Sequence, residues 1–587
     1  MAKFFKSLLL TVVGSIVTAI FIVLLFVGVI ASMASAGEKE TEIEEGTLLT
    51  INLDKAIVDR GVDDPFADLF GDSPFSVSQI GLNDLLFQIK KASRDKNVNG
   101  IYLECGNPMT GYATLNEIRE ALVAFKDSGK FIYTYAPMYS QKGYYLASAA
   151  TKVYMPPQGM LDLKGISTER MYYKSALDKF DVDYYVFKHG KFKSAVEPVL
   201  LDGMSEPAKE QTITYLNSIW KHVKAGISAS RGITPEEINA IADNGGMFSE
   251  NEVFVKANII DGLKYKDEVL LELKELTETD EDDDIEQVNF ADYKSVYVPR
   301  ETKGLIKDKI AVIYAEGAID DLGDEGIKSE KLSKTIREAR EDEGIKAVVL
   351  RINSPGGSAA GSDIIWREVK LCKEVKPVIV SMGDVAASGG YYIACEADTI
   401  VASPVTITGS IGIFARIPNL KRLTKKWGIS FDGVKTNKYA DFPTVTREFT
   451  SGEKAMMQNY VERGYEVFTG VCADGRNTTK DAIKEVGEGR VWSGENAVDK
   501  KLVDVMGGLN RAIEIAKEKA GLELCRIKEM PEKLSPIEEM FKGMKSEANA
   551  FMSQSLFGLS IEQVKLLEGL KEADPMQARL PYELELN

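Results

Sequence analysis

The chain contains two copies of one fold, and this duplication constrains the architecture more than any other feature. "GIYLECGNPMTG" (100–111) aligns with "AVVLRINSPGGS" (347–358), an offset of 347 − 100 = 247. "QKGYYLASAATKVYMPPQ" (141–158) aligns with "SGGYYIACEADTIVASPV" (388–405), and "KHGKFKSA" (188–195) with "KTNKYADF" (435–442), both again at 247. Three separated segments sharing one offset mark a tandem repeat. Apolar runs in the second copy predict strands at 310–315, 347–352, 377–382 and 398–402. Helices are predicted at 329–339, at 360–374 and directly after Ser388. Strands alternating with helices predict α/β units on parallel sheet. The expected repeats span 47–273 and 301–530. Between them, "KELTETDEDDDIEQ" reads as part of a solvated acidic connection over 274–300. A helical extension with many Met and Phe residues, suited to a partner surface, follows over 531–587.

Folding needs recur in both copies, so differences between them point to function. Ser388 falls on Gln141, and Lys193 falls on Ala440, while the neighbouring Lys191 keeps a counterpart in Lys438. The spacings agree: 193 − 141 = 52 and 440 − 388 = 52. An undivided ancestor would have carried both Ser and Lys, and each copy has kept one. The plain alternative for Ser388 is a tight strand-to-helix turn among small residues. Complementary loss is not explained by turn chemistry. A serine hydroxyl needs a base, and a desolvated lysine amine serves. His189, four residues before Lys193, is the competing base, but nothing else in the chain resembles a Ser-His-Asp order. Gly356-Gly357 in the second copy replaces Met109-Thr110 in the first. Adjacent glycines after a strand let backbone N–H groups converge on an oxyanion, although an isolated Pro-Gly-Gly also suits an ordinary turn.

Composition removes other classes. A net charge of −17 with no basic stripe argues against nucleic acid as a partner. Two histidines and five scattered cysteines leave almost no material for a zinc site, and no cofactor is expected. After a short tail (1–7) bearing Lys3 and Lys6, residues 8–32 run without a charge. That is long enough to span a bilayer, and the lysines place the N-terminus in the cytoplasm. Cleavage after "ASA" (34–36) is the competing reading. An acidic tether over 33–46 would then lead to the repeats outside.

Four motifs resemble the signal peptide peptidase A (protease IV) family: "NSPGGS", "MGDVAASGGYYIA", "TITGSIGIF" (406–414) and "GKFKSAVEP" (190–198). The resemblance covers nearly the whole chain and is closest to the double-length bacterial form. It implies tandem ClpP/crotonase-like domains of ββα units behind one N-terminal transmembrane helix. The implied activity is that of a membrane-anchored serine endopeptidase with a Ser-Lys dyad, degrading cleaved signal peptides. It implies a homotetramer at the bacterial inner membrane, single-pass, with its catalytic domains on the periplasmic side. Carried over by motif, Ser388 matches the nucleophile, Lys193 the general base and Ser410 the residue orienting the lysine. Gly356 and Gly357, with the Gly389 N–H, match the oxyanion-hole region, and the motif leaves open which of the first two donates. Two rivals remain: a crotonase-like acyl-thioester enzyme, and an inactive scaffold that binds membrane proteins.

Overall fold

A computed structural model describes residues 41–61, 79–299, 306–323, 326–533 and 576–579, with four helical positions (14, 15, 18 and 21) in the N-terminal apolar run. The rest of that run, the tether before residue 41 and most of the C-terminal extension lie outside the described residues. No described helix is long and apolar enough to cross a membrane.

The first repeat contributes strands β1 (Thr47–Asn52), β2 (Val98–Glu104), β3 (Phe131–Tyr135), β4 (Lys152–Met155), β5 (Asp183–Lys188), β6 (Gly262–Leu263) and β7 (Gln287–Asn289). Six of them form one parallel sheet, ordered β6-β4-β3-β2-β1-β7. Its main helices are α1 (Leu82–Ala92), α2 (Tyr112–Asp127), α3 (Gln141–Ala147), α4 (Glu206–Arg231) and α5 (Lys266–Leu276). The second repeat supplies β8 (Lys309–Glu316), β9 (Ile345–Ser354), β10 (Gly356–Ser358), β11 (Val378–Ala387), β12 (Thr399–Ala402), β13 (Ile407–Gly409), β14 (Phe414–Asn419), β15 (Val491–Ser493) and β16 (Arg526–Met530). Its helices include α6 (Ser329–Glu341), α7 (Ala359–Lys373), α8 (Gly389–Ala394), α9 (Ser451–Gly475) and α10 (Leu509–Lys519). Along its sheet the order is β15-β13-β11-β9-β8-β16, parallel except where β15 meets β13. β12 pairs beside the first half of β11, and β13 beside the second half.

The expected pair of α/β repeats is therefore present, and the 247 offset is structural: β2 to β9 (345 − 98), α2 to α7 (359 − 112) and β4 to β12 (399 − 152). The first strands, β1 and β8, are 309 − 47 = 262 apart, so repeat one carries extra chain between its first two strands. β11 extends five residues past the predicted strand end at 382, because its second half pairs with β13.

Two segments read as solvated tether and connection pack onto the first repeat. Asn97 Nδ2 donates to Ile43 O at 2.8 Å, and Ile43 packs against the core. In the acidic stretch, β7 adds an edge strand beside β1, with Val288 and Tyr293 buried. Its acidic neighbours hid a short strand with one inward apolar residue. β16 adds to β8 in the second repeat in the same way.

The repeats interlock. β5 of repeat one pairs antiparallel with β14 of repeat two, from Phe414 opposite Lys188 to Asn419 opposite Asp183. Phe187 thereby enters the second core, while Ala387, Ile407 and Val491 enter the first. Arg351 on β9 is fully buried between Asp59 and Glu117 of repeat one, at 2.8 Å (Nε) and 2.7 Å (Nη1). Asp384 on β11 accepts from the Ala113 and Thr114 N–H groups at 2.8 and 3.1 Å. It caps the N-terminus of α2 from the other repeat, a placement favoured by the helix dipole. This fixes β11 four residues before Ser388.

Candidate active site

β11 and β13 run parallel, with Ala387 opposite Gly409 in their last pair. The next residue on each chain is a serine, so Ser388 and Ser410 sit side by side. Both have left-handed φ, 56° and 54°. Ser388, with ψ −114°, occupies a region that side chains rarely adopt, at the junction between β11 and α8. Such strain persists only where surroundings hold it. Here the Ser388 N–H donates to Gly409 O at 2.8 Å, and Ser388 O accepts the Tyr392 N–H that starts the helix.

Lys193 arrives from the other repeat. Because β5 and β14 are antiparallel, the chain leaving Lys188 and the chain entering Phe414 lie at the same end. The ladder continues with the His189 N–H donating to Ile413 O at 3.2 Å. Four residues on, Lys193 is fully buried, with Nζ 2.8 Å from Ser388 Oγ, 3.0 Å from Ser410 Oγ and 3.0 Å from Ser410 O. Burial alone pushes its pKa well below the ordinary 10.5. No carboxylate opposes that shift, so the amine is disposed to be neutral, with a lone pair for the serine proton.

Two glycines missed in the sequence make room for the lysine. Gly489 has φ +78°, and a Cβ there would lie 2.6 Å from Lys193 Cβ. A Cβ on Gly412 would meet Gly489 Cα at 2.9 Å and Lys193 Cδ at 3.3 Å. Gly412 lies within the motif 406–414 but recurs in the first copy as Gly165 (412 − 247), and Gly489 lies in no quoted motif, so copy comparison had no purchase on either.

The glycine turn stands beside this pair. β9 pairs with β11 up to Ser354 opposite Ala386, and β10 begins two residues later. Gly356 has φ +90° and its N–H donates to Ser354 Oγ at 3.2 Å. Gly357 is pressed so close to Ile319 that a Cβ would lie 2.0 Å from Ile319 O. Gly389 opens α8 next to Ser388. Residues 576–579 lie antiparallel to β10, with Gly357 opposite Ala578, and also pair with Phe414 and Ala415 of β14. The groove between β10 and β14 thus receives an extended backbone.

The first repeat's counterpart is built differently. Gln141 Nε2 donates to Tyr112 Oη, and Gln141 Oε1 accepts from the Lys164 and Gly165 N–H groups. Ala440, the counterpart of Lys193, is exposed. His189 does not reach Ser388. Its Nδ1 lies 2.6 Å from Glu462 Oε2, and its ring stacks on Tyr465 at 3.7 Å. Among the described residues no group of His, Cys, Asp and Glu is arranged to hold a metal.

Comparison with known proteins places the chain in a family. The model of peptidase family S49 matches residues 124–280 and 370–523, one segment in each repeat. Protease 4 of Salmonella typhi is 35% identical over 555 residues, covering 92% of this chain and 88% of the relative. The chloroplastic serine protease SPPA of Arabidopsis thaliana is 33% identical over 551 residues, covering 92% and 78%. Among solved structures, a ClpP1 mutant from Listeria monocytogenes matches 34% of this chain and 94% of its own, with 15% identity and a TM-score of 0.24. Two S49 segments and relatives aligned along nearly the full length leave one conclusion: the chain belongs to peptidase family S49 and is a serine peptidase.

Proposed function

We propose that the chain is a membrane-anchored endopeptidase that cleaves extended apolar peptides, among them signal peptides released from preproteins, through an acyl-enzyme formed on Ser388. The observation that carries this reading is the buried, uncompensated Lys193 amine 2.8 Å from Ser388 Oγ. In the first step Ser388 Oγ attacks the scissile carbonyl carbon while its proton passes to Lys193 Nζ. The carbonyl oxygen becomes an oxyanion. Gly356 N–H is engaged by Ser354, so Gly357 N–H and Gly389 N–H are the assigned donors, with α8 adding its dipole. Collapse breaks the C–N bond, and the Lys193 ammonium returns the proton to the leaving amine. Water then attacks the acyl-enzyme with Lys193 again as base, releasing the acid and free Ser388. Ser410 holds the amine from one side through its hydroxyl and carbonyl oxygens.

Substrate shape is supported by the strand seated between β10 and β14, since a peptide adding there presents its backbone to the glycine turn. The uncharged run 8–32 supports an anchor in the inner membrane with the repeats on the periplasmic side. A homotetramer is part of the same proposal, and light scattering of the detergent-solubilised chain tests it. For the chemistry, a fluorophosphonate probe and a fluorogenic apolar peptide are applied to wild type, Ser388→Ala and Lys193→Ala. Labelling and turnover in wild type alone support the proposal. Turnover that survives Ser388→Ala overturns it.

A further inference from the structure

Gln211 sits on α4, 13 residues past the motif 190–198 (211 − 198) and in no motif itself, yet its side chain joins three pieces of the candidate site. It is fully buried. Its Nε2 donates to Phe192 O at 3.0 Å and to Ser194 Oγ at 3.1 Å, the two residues flanking Lys193. Its Oε1 accepts the Val491 N–H at 3.1 Å. Val491 on β15 pairs with Gly409 on β13, and Gly409 O accepts the Ser388 N–H. Gly409 also directly precedes Ser410. One amide therefore links the lysine loop of repeat one to the strand that holds both serines of repeat two, using both its N–H bonds and its oxygen. The matching helices start from N-caps Ser205 and Thr450, an offset of 245, so Gln211 corresponds to Met456, which is 38% exposed. The amide belongs to the repeat that supplies the lysine.

We propose that Gln211 is a positioning residue that sets the place of the Lys193 amine against Ser388 and keeps its pocket dry. This rests on the reading of Ser388 and Lys193 as nucleophile and base. The physical reason is that a lysine stem has many rotamers, so the amine is placed only as well as its backbone is held, and a 1 Å error costs on the order of a hundredfold in rate. Charged groups on the packed elements are otherwise occupied. Arg490 pairs with Glu210 and lies over the Phe192 ring, Glu197 binds Ser205, and His189 pairs with Glu462. Glu488 meets the loop through its backbone oxygen, which accepts the Phe192 N–H.

The test uses the full chain with Gln211→Met, which keeps length and bulk without hydrogen bonds, and Gln211→Glu, which keeps an acceptor for Val491 but adds a carboxyl beside the loop. Peptide turnover is measured for kcat, KM and the pH at which kcat/KM rises. Gln211→Met is expected to lose on the order of a hundredfold in kcat with little change in KM. Its alkaline onset should move upward, as water reaches the amine. Gln211→Glu should move the onset further, because a nearby carboxylate favours the ammonium. Should Gln211→Met fail to fold, Ser194→Ala, which removes one acceptor, decides by the same upward shift. Folded variants that keep the wild-type onset overturn the inference, whether kcat is unchanged or lost, since a merely structural role leaves the lysine's titration alone. A Lys193→Ala chain that still turns over peptide would instead overturn the underlying reading.

Discussion

Lys193 Nζ lies 2.8 Å from Ser388 Oγ, although 195 residues of chain and a repeat boundary separate them. Each repeat brings one half of the pair, and the antiparallel pairing of β5 with β14 joins the halves. Several consequences can be measured.

Titration of the amine should appear in both activity and stability. Burial lowers the Lys193 pKa in the folded chain well below 10.5. The unfolded chain thus binds one more proton in the window between the folded value and 10.5, and stability rises with pH there. The slope is ~1.4 kcal/mol per pH unit for one proton. Lys193→Met lacks this slope, so urea melts should show wild type gaining on the variant as pH rises from the folded value up to about 10.5, with no further gain above it. Peptidase activity of wild type should switch on at a pH below that of an ordinary lysine. Parallel stability curves for the two chains would contradict the assignment.

Gly489→Ala should inactivate without unfolding the chain. The added Cβ would stand 2.6 Å from Lys193 Cβ, on a residue whose φ of +78° already disfavours a side chain. Displacing the base should cost ~10²–10⁴ in kcat. Circular dichroism should remain that of wild type, and fluorophosphonate labelling should slow in parallel with turnover.

Ser410→Ala should be milder. Nζ loses its 3.0 Å hydroxyl partner but keeps Ser388 Oγ and the residue-410 carbonyl. A neutral hydrogen bond is worth ~0.5–1.5 kcal/mol, so kcat should fall by roughly tenfold or less. A loss as large as that of Lys193→Ala would mean that the hydroxyl does more than orient the amine.

A chain cut between residues 299 and 306 should keep its activity, because β7 ends at Asn289 and β8 begins at Lys309. A cut near Asp282, inside the acidic stretch, would instead move β7 away from β1 and expose Val288 and Tyr293. Comparing peptidase activity and melting temperature of the two nicked chains checks this. Each fragment purified alone should be inactive, since Lys193 and Ser388 then sit on different molecules.

Arg351→Met should weaken the union of the repeats. It would leave Asp59 and Glu117 buried without their cation, and breaking a buried pair costs ~3–5 kcal/mol. Activity and melting temperature should fall together.

The duplication, the alternation of strands and helices, and the split of serine and lysine between copies were all legible in the residues. They depend on local periodicity and on comparing aligned positions, and both survive in a linear chain. Ser388, Lys193 and Ser410 come together in space, and the glycine turn is built beside them. What sequence could not supply was the means of joining. β5 and β14 each lack a strand at the 247-residue counterpart, at 430–435 and 167–172, so the exchange between repeats left no repeated pattern to find. β7 was hidden because one buried valine among acidic residues carries almost no periodicity. Gln211 and Gly489 lie outside every motif quoted, and Gly412 lies inside one whose glycine recurs in the first copy as Gly165; all three act through packing against other segments, which a linear chain does not display. Tertiary structure alone decided that the lysine of one repeat packs against two touching glycines of the other. Packing density permits that approach only where no Cβ intervenes.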